Sequence, residues 1–369
     1  MKIKLENINL YPIKIAIKPE KLSFGSVKEM HYVMVEAKDK EESGYGEAAV
    51  LQGPYWSEES MESIYFTIKN YIAPILIGKE IDVFTMNTHL DKIRGNPFAK
   101  AAVEMSLFDL IGKKLGKSIA EMLGGPKREK LQLSWTLASN STKKDISDAN
   151  EMIERGFRIF KIKVGSLPIK KEIERVTAII NEVSDKASIR VDANQGYDFK
   201  QANEFLKALD SLNMSFVEQP VPSWDLASMS KLGSRYKTPI LADESLRTSQ
   251  DAKAIIAKKA ASAFSYKLEK SGGFIESANI EKIARKENIK GYMGCMIETS
   301  IGTAAYANFA SYVTDLSFGT ELFGPLRIMD DIVEDGLTYD KGSLIRPKGA
   351  GLGIRVDVRK LSKLSSKLQ

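Results

Sequence analysis

From residue 131 onward, short apolar runs alternate with stretches in which apolar residues recur every three or four positions. Apolar runs bounded by turn residues are typical of buried strands, and the longer period is typical of helices. The strand-like runs cover residues 131–137, 160–165, 189–194, 216–220, 240–244, 263–268, 291–296 and 316–322. Amphipathic stretches between them include residues 143–155, 169–183, 200–209 and 275–286. Strands that alternate with helices in this way predict a parallel sheet closed into a TIM-like barrel.

A doubly wound open sheet is the competing architecture for the same alternation. Such a sheet normally carries a glycine-rich nucleotide-binding loop after its first strand, and this sequence has none there. Residues 349–353 are rich in glycine, but they do not fit the G-x-G-x-x-G pattern and open no helix, so we interpret them as a turn. The pattern therefore favours the closed barrel.

The first 125 residues show a different order of elements. Residues 3–17 and 31–37 alternate or are dense in apolar residues, and a turn at residues 44–47 leads to the third strand of a predicted β meander. The polar residues 18–28 are predicted to be irregular. Cap signals and apolar periodicity predict helices from residue 57 to about 73, over 82–94, over 98–115 and over 118–123.

Glycine and proline mark the expected boundary between domains. Gly124-Gly125-Pro126 is the best candidate for a junction, since these residues interrupt regular structure. We therefore expect an N-terminal α+β domain over residues 1–125 and a barrel over residues 126–322. A strand-like run at residues 354–358 predicts that the segment 323–369 packs back on the N-terminal domain.

The composition is that of an ordinary globular protein. The 369 residues include 54 Lys and Arg against 48 Asp and Glu, which gives a formal charge of +6. Basic runs such as residues 127–130 are short, so we expect solvated faces and no nucleic-acid partner. The charged N-terminus and the lack of long apolar runs predict no secretory signal, no membrane partner and a cytoplasmic location. The single cysteine, Cys295, excludes an intrachain disulfide.

Three consecutive strand-like runs end in acidic triplets. These are Asp192-Ala193-Asn194, Glu218-Gln219-Pro220 and Asp243-Glu244-Ser245, separated by nearly equal intervals of one strand plus one helix. Carboxylates at the same end of neighbouring parallel strands converge, and they repel each other unless a cation lies among them. Oxygen ligands without Cys or His nearby favour Mg²⁺ or Mn²⁺ over zinc. A single acid at a strand end would usually cap a helix, but three in register favour a metal site.

Lysines lie one repeat before and one repeat after the acidic triplets. Lys161 and Lys163 are two positions apart on one strand and share a face, which we expect to point inward. Mutual repulsion and desolvation are expected to lower a lysine pKa towards neutrality and so create a general base. Lys267 is on the sixth strand, opposite the second in a closed barrel, and opposed lysines suit proton transfer α to a carboxylate. A single lysine at a strand end would usually extend its ammonium group to solvent and need no function. Two such lysines on one inward face are poorly explained in this way.

Two glutamates and one loop supply further candidates. Glu298 and Glu321 end the seventh and eighth strands, where each would bond a lysine or a substrate group, or cap the next helix. We favour the functional interpretation for Glu321. Tyr55 and Trp56 lie on a predicted loop, where aromatic side chains either cover a ligand or pack locally.

Together, these motifs resemble the enolase superfamily, and specifically its muconate-lactonizing subgroup, over nearly the whole chain. The matching residues are the Lys161-x-Lys163 pair, the three acidic triplets, and Lys267 before Gly272-Gly273. The resemblance implies an α/β fold, a modified TIM barrel (β/α)₇β with an N-terminal α+β capping domain. It also implies Mg²⁺ or Mn²⁺ held by Asp192, Glu218 and Asp243, and catalytic roles for Lys161, Lys163, Lys267 and Glu321.

Finer features resemble muconate cycloisomerases. They are residues 53–57, 134–139, 301–303 and 319–326. The resemblance implies a small carboxylate substrate, a lactone formed from cis,cis-muconate through a metal-stabilised enolate, and a homo-oligomer. We expect substrate-binding roles for Tyr55, Trp56, Asn194 and Phe323, and also for Glu298 from its position at the end of the seventh strand.

Other reactions share the enolate step. The alternatives are racemisation or epimerisation of N-acylamino acids or dipeptides, and an elimination like that of o-succinylbenzoate synthase. Related dipeptide epimerases carry Asp-x-Asp where this chain has Glu321-x-Phe323, which argues against that activity. A non-catalytic protein of the same fold is disfavoured, because its buried charges would be retained for no benefit.

Overall fold

A parallel barrel forms the centre of the computed structural model, which describes residues 1–366 and 368. Seven strands follow one another in chain order, and they are Trp135–Leu137, Ile159–Lys163, Ser188–Asp192, Val217–Glu218, Ile240–Ala242, Ala263–Tyr266 and Lys290–Met293. Thr320 closes the ring, because it bridges in parallel to Leu133 on one side and to Met293 on the other. The predicted modified TIM barrel is confirmed.

Helices follow the barrel strands in the predicted order. They are Thr142–Glu154, Ile169–Val183, Phe199–Leu209, Leu226–Arg235, Ser249–Ala257, Leu268–Ser271, Phe274–Lys286 and Ser300–Tyr312, with 3₁₀ turns at Asp210–Leu212 and Gly324–Leu326. Local chemistry explains where they begin. The Asp198 carboxylate accepts the N–H of Gln201, whose side chain accepts the N–H of Asp198, and this capping box starts Phe199–Leu209.

Two of the eight predicted strands differ in the structure. Residues 131–137 divide, so that Lys130–Gln132 pairs antiparallel with Ser343–Ile345 and only Trp135–Leu137 joins the barrel. Residues 316–322 form no strand, because the chain turns at Gly319, whose φ is 74°, and only Thr320 reaches the ladder. An apolar run does not reveal which partner strand it will choose.

The N-terminal domain is an antiparallel sheet covered by helices. The strands Asn7–Leu22, Gly25–Lys38 and Ser43–Val50 form this sheet, and Ile3–Lys4 pairs with Glu80–Ile81 in a separate two-stranded sheet of the same domain. Its helices are Met61–Thr67, the π-helical Ile68–Ile72, Ala73–Leu76, Met86–Leu90, Pro97–Leu115 and Ile119–Met122. Gly116 ends Pro97–Leu115 as predicted, with a left-handed φ of 64°.

The predicted strand boundaries of this domain need two corrections. Residues 18–28 are not irregular, since they form the end of a hairpin between Asn7–Leu22 and Gly25–Lys38, after a register shift between Ala16 and Glu20. Residues 44–47 are extended strand instead of a turn. In both places, pairing with a neighbouring strand overrides the local preference of polar residues and glycine.

Two predicted helices also have different bounds. The helix expected to end near residue 73 continues to Leu76, because Pro74 lies in the first turn of Ala73–Leu76, where proline is tolerated. The helix predicted over residues 82–94 is limited to Met86–Leu90. The Asp82 side chain accepts the N–H groups of the residues two and three positions later, and this local bonding competes with helix.

The C-terminal segment contacts both halves of the protein. Tyr339–Asp340 and Ser343–Ile345 form a small sheet with Lys130–Gln132. Ile328 forms an antiparallel bridge with Ile17 of the N-terminal sheet. The last helix of the segment is Val358–Leu364. The division of the chain at residues 125 and 322 stays a prediction. Among residues 1–366 and 368, no helix is both long and apolar enough to cross a membrane.

A close backbone contact joins the strand Ser43–Val50 to the helix Pro97–Leu115. A Cβ atom at Gly46 would lie 2.0 Å from the carbonyl oxygen of Ala102, and one at Gly44 would lie 2.2 Å from that of Ser106. Both obstacles are backbone atoms of a buried helix, which do not move aside as a flexible side chain does. Glycine is therefore required for this approach of strand and helix.

Gly46→Ala is expected to lower the free energy of unfolding by about 1–3 kcal/mol, because the new methyl group overlaps the helix backbone. Urea unfolding followed by circular dichroism measures the change. Gly336→Ala is the matched control, since no atom lies within 4 Å of the added Cβ. Equal stability of the two variants would contradict the close contact.

Buried carboxyl groups connect the N-terminal domain to two barrel helices. Glu47 accepts the N–H groups of Thr299 and Gly302, both at 2.9 Å, where Ser300–Tyr312 begins. Glu104 accepts the N–H of Ile275 at 3.3 Å, and its other oxygen has no hydrogen-bond partner among the described residues. Burial raises the pKa of Glu47 to about 7 and that of Glu104 to about 8.

Stability is expected to decrease as the pH rises from about 5 to about 8. In this window the folded protein keeps protons on Glu47 and Glu104 that the unfolded chain, with a carboxyl pKa of 4.5, has released. Raising the pH therefore favours the unfolded chain. Glu104→Gln removes one titrating group and is expected to flatten the plot of unfolding free energy against pH, measured by urea titration. The exposed Glu154→Gln is the control, and equal slopes in the two variants would refute this account.

Candidate active site

The carboxyl ends of the barrel strands and the N-terminal domain enclose a cavity of about 60 Å³. The N-terminal domain contributes Glu20, Leu22, Phe24, Leu51 and Trp56 to its wall. The barrel contributes polar side chains, and they are Thr136, Lys161, Lys163, Asn194, Lys267 and Glu321. Polar groups that converge in a cavity at this end of a TIM barrel define the candidate active site.

Lys161 lies at the centre of a buried cluster of carboxylates. Its Nζ atom is 3.0 Å from Glu218, 3.2 Å from Asp192 and 2.5 Å from Glu321. The register of the strands explains the convergence, because Lys163, Asp192 and Glu218 are direct neighbours on three adjacent strands. The prediction that both lysines of the second strand point inward is thus met by the geometry.

Lys163, two residues after Lys161 on the same strand, reaches the same cavity. Its Nζ atom donates to Oδ2 of Asp192 at 2.7 Å and to Oδ1 of Asn194 at 2.9 Å. Its side chain keeps 13% of its surface exposed, against 2% for Lys161. Lys163 is therefore the member of the pair that is more open to a bound molecule.

The lysine pKa values shift opposite to the predicted direction. Burial by itself lowers the pKa of Lys163, but attraction to Asp192 outweighs burial and the net pKa is raised. Burial opposes the charge of Lys161 in the same way, and Glu218 and Glu321 nevertheless hold its pKa well above the usual range. The prediction of a lowered lysine pKa was wrong here because it left out these ion pairs. The raised pKa values favour the ammonium form of both lysines, which is the form that donates a proton.

Lys267 and Lys270 both bind the third acidic triplet. The Nζ atom of Lys267 is 2.7 Å from Oδ2 of Asp243, and that of Lys270 is 2.6 Å from Oδ1. Burial opposes the ionisation of Asp243, but the two lysines hold its pKa well below the usual range. Lys267 also lies 4.3 Å from the centre of the Trp56 ring, so the N-terminal domain covers this lysine.

The predicted metal ligands Asp192 and Glu218 end two adjacent strands, and Asp243 directly follows the next strand, Ile240–Ala242. Oε1 of Glu218 and Oε2 of Glu244 are buried and have no hydrogen-bond partner in the described part of the chain. A set of oxygen donors with such orphaned atoms fits a divalent cation. Among the described residues, no group of three Asp, Glu, His or Cys side chains has the arrangement that would hold a metal ion. Lysine ammonium groups contact the carboxylates instead. The metal site stays a prediction.

The other predicted residues divide between the cavity and its surroundings. Asn194, Trp56 and Phe323 line the cavity, and the indole N–H of Trp56 donates to Glu244 at 3.1 Å. Tyr55 does not line it, and 69% of its surface is exposed. Glu298 does not line it either, since it is fully buried and accepts a backbone N–H from two residues earlier. Neither residue is brought to the lysines and carboxylates.

Sequence reasoning missed Glu20, Thr136 and Lys270. Glu20 falls in the stretch that was predicted to be irregular, so no pattern pointed to the cavity. Thr136 donates a hydrogen bond of 2.6 Å to Glu321, a contact that only the closed barrel creates. Lys270 follows Lys267 by three residues, and this spacing of one helical turn is a signal that would have indicated it.

The barrel carries a pair of lysines on its second strand, acids at the ends of its third and fourth strands and just after its fifth, and a lysine after its sixth, all beneath an α+β cap. This is the architecture of enolase-superfamily proteins. Residues 7–124 match the mandelate racemase/muconate lactonizing enzyme N-terminal domain, and residues 144–360 match the enolase C-terminal domain-like family. The chain therefore belongs to the mandelate racemase/muconate lactonizing enzyme family.

Individual relatives are similar over most or all of their length. Muconate cycloisomerase 1 of Pseudomonas putida is 36% identical over 366 residues, which cover 98% of each chain. Chloromuconate cycloisomerase of Cupriavidus pinatubonensis is 36% identical over 329 residues, or 88% of each chain. The muconate lactonizing enzyme of Pseudomonas fluorescens, solved with muconolactone, superposes with a TM-score of 0.96 at 34% identity, over 99% of this chain and 100% of that one.

Lys270→Met is expected to lower the free energy of unfolding by about 3–5 kcal/mol, because it leaves one oxygen of Asp243 buried without its partner. Urea unfolding at neutral pH measures the change. Lys258→Met replaces an exposed lysine, and as the control it is expected to change stability by less than about 0.5 kcal/mol. A loss below about 1 kcal/mol for Lys270→Met would show that Lys267 alone satisfies Asp243.

Proposed function

We propose that this protein is a cycloisomerase that closes an unsaturated dicarboxylate, cis,cis-muconate or a chlorinated muconate, into a lactone. The observation that carries the proposal is the placement of Lys163 and Lys267, which line one cavity and bond two different acidic triplets. The relatives named muconate and chloromuconate cycloisomerase support this class of substrate.

Lys163 is the proposed proton donor. In the reaction, one carboxylate oxygen bonds to a carbon of the diene, and the neighbouring carbon, α to the other carboxylate, takes up a proton. The Lys163 ammonium group is held 2.7 Å from Asp192 and remains open to the cavity. Asn194 fixes its direction, because it accepts from Lys163 and donates to Glu244 at 3.1 Å. A positioned acid of this kind contributes substantially to the rate.

The remaining charged groups bind and orient the substrate. Lys161, bonded to Glu321, and Lys267, bonded to Asp243, would stabilise the negative charge that develops on the carboxylate. A bound Mg²⁺ or Mn²⁺, held by Asp192, Glu218 and Asp243, would supply further neutralisation of that charge.

The hairpin end at residues 20–24 contributes Glu20, Leu22 and Phe24 to the cavity wall, so its position controls the space that is left for a substrate. The hairpin end is held to the barrel by few hydrogen bonds. The Ser23 hydroxyl donates to the Asn194 carbonyl at 3.0 Å, and the Lys21 N–H donates to the Ala138 carbonyl at 3.0 Å.

Racemisation of an N-acylamino acid is the second candidate function. Lys163 and Lys267 both reach the cavity and come from strands on opposite sides of the barrel. Racemisation needs one of these lysines as a neutral amine, which removes a proton from one face of the carbon, and the other as an ammonium ion, which returns a proton to the opposite face. The two functions differ in whether a new carbon–oxygen bond forms, so one experiment separates them.

The proposal is tested by proton NMR in D₂O. The purified protein and Mg²⁺ are incubated with cis,cis-muconate and, in a separate sample, with N-succinylamino acids. The expected result is a lactone that has gained one deuterium. Lys163→Ala is expected to lower kcat by about 100-fold or more, because it removes the proton donor. Chelation of divalent cations is expected to abolish the reaction.

Lys171→Ala, which replaces an exposed lysine of a barrel helix, is the control and is expected to keep full activity. Deuterium exchange at Cα of an N-succinylamino acid, without conversion of muconate, would replace the cycloisomerase proposal with the racemase. Lactone formation that survives in Lys163→Ala would remove this lysine from its proposed role.

A further inference from the structure

Arg190 is a buried cation inside the barrel that the proposed reaction does not use. Only 2% of its surface is exposed. It is the direct neighbour of Lys161 on the adjacent strand, and it precedes Asp192 by two residues, so it shares the inward face with that carboxylate. Arg190 therefore lies one layer below the acidic triplets.

Aromatic rings surround the Arg190 guanidinium. Its Cζ atom is 4.8 Å from the ring centre of Phe216, 5.3 Å from that of Tyr292 and 5.9 Å from that of Phe318. It forms no ion pair with any carboxylate of the described residues, and its Nε has no hydrogen-bond partner there. A buried charge with so few polar partners is costly, and the faces of the rings compensate only part of that cost. A residue retained at such a cost calls for a role beyond filling space.

Two contacts lead from Arg190 to the Lys161–Glu321 pair. The ring centre of Tyr292 lies 5.3 Å from Arg190 Cζ and 5.4 Å from Lys161 Nζ, so one ring contacts both cations. The Nη1 atom of Arg190 donates to the carbonyl of Phe318. That carbonyl lies just before Thr320, which closes the barrel, and Glu321, which bonds Lys161 at 2.5 Å.

We infer that Arg190 is a positioning residue for Lys161 and Glu321, acting through the ring of Tyr292 and the carbonyl of Phe318. The guanidinium fixes the ring on which Lys161 rests and also the chain that carries Glu321. Both ends of the Lys161–Glu321 contact thus depend on one side chain. The consequence for turnover rests on the proposed function, whereas the consequence for the geometry does not.

Substitutions at Arg190 and Tyr292 test the inference in the full-length protein. Arg190→Met keeps most of the volume and removes the charge and the hydrogen bond, and it is expected to lower kcat on cis,cis-muconate by about 10–100-fold, with KM changed much less. Arg190→Lys restores a cation and is expected to recover part of kcat. Tyr292→Phe keeps the ring and is expected to stay near wild type, whereas Tyr292→Leu is expected to resemble Arg190→Met.

Arg346→Met is the matched control, because Arg346 is also buried but pairs with Glu129 away from the cavity. It is expected to leave kcat unchanged. All rates are normalised to the folded fraction, so that a loss of stability alone does not count. If Arg190→Met does not fold, Arg190→Lys and Tyr292→Leu decide the question.

Crystal structures of the same variants without substrate provide a second readout. Loss of the Lys161–Glu321 contact in Arg190→Met and Tyr292→Leu, but not in Tyr292→Phe or Arg346→Met, would support the inference. An intact contact in Arg190→Met would overturn it, as would a lost contact with unchanged kcat. If the wild-type protein does not convert muconate, the proposed function fails, and the crystallographic comparison alone decides the role of Arg190.

Discussion

Ion pairing between lysines and carboxylates at the mouth of the barrel is the constraint on which the rest of the structure depends. Four lysines and four acidic residues pair there, and they are Lys161, Lys163, Lys267, Lys270, Asp192, Glu218, Asp243 and Glu321. All except Lys163 are buried, and burial together with the neighbouring Asp192 raises the pKa of Glu218 to about 8. A buried charge is strongly destabilising when its partner is removed. Neither set of charges is therefore compatible with the fold unless the other set is in place.

Parallel register and the capping domain make this pairing possible. The register places Lys163, Asp192 and Glu218 at one level on three adjacent strands. The N-terminal domain covers this end of the barrel and reduces its contact with water, and Glu47 and Glu104 join it to the barrel helices. Charges in a medium from which water is excluded interact more strongly than on a surface. The cap thus strengthens the electrostatics of residues that it does not itself supply.

The sequence predicted the barrel, its helices and the lysine and carboxylate positions because these depend on local period and on a regular repeat. Sequence-based prediction was wrong where the structure depends on which strands pair with each other. The run 131–137 divides between two sheets, and the polar residues 18–28 form paired strand. The prediction of a lowered lysine pKa was wrong for the same reason, since the pKa of Lys163 is raised by its contact with Asp192. The local sequence of a segment does not reveal which distant segment it will contact.

The hairpin of Asn7–Leu22 and Gly25–Lys38 adds a thermodynamic aspect to substrate binding. Its end supplies Glu20, Leu22 and Phe24 to the cavity wall and is paired strand, with a register irregularity between Ala16 and Glu20. The backbone of a paired ribbon is already ordered in the folded protein, so few backbone dihedrals remain to be fixed when a substrate binds. The conformational entropy of this cover is thus lost mainly when the protein folds. Preorganisation of this kind leaves more of the contact energy available for affinity.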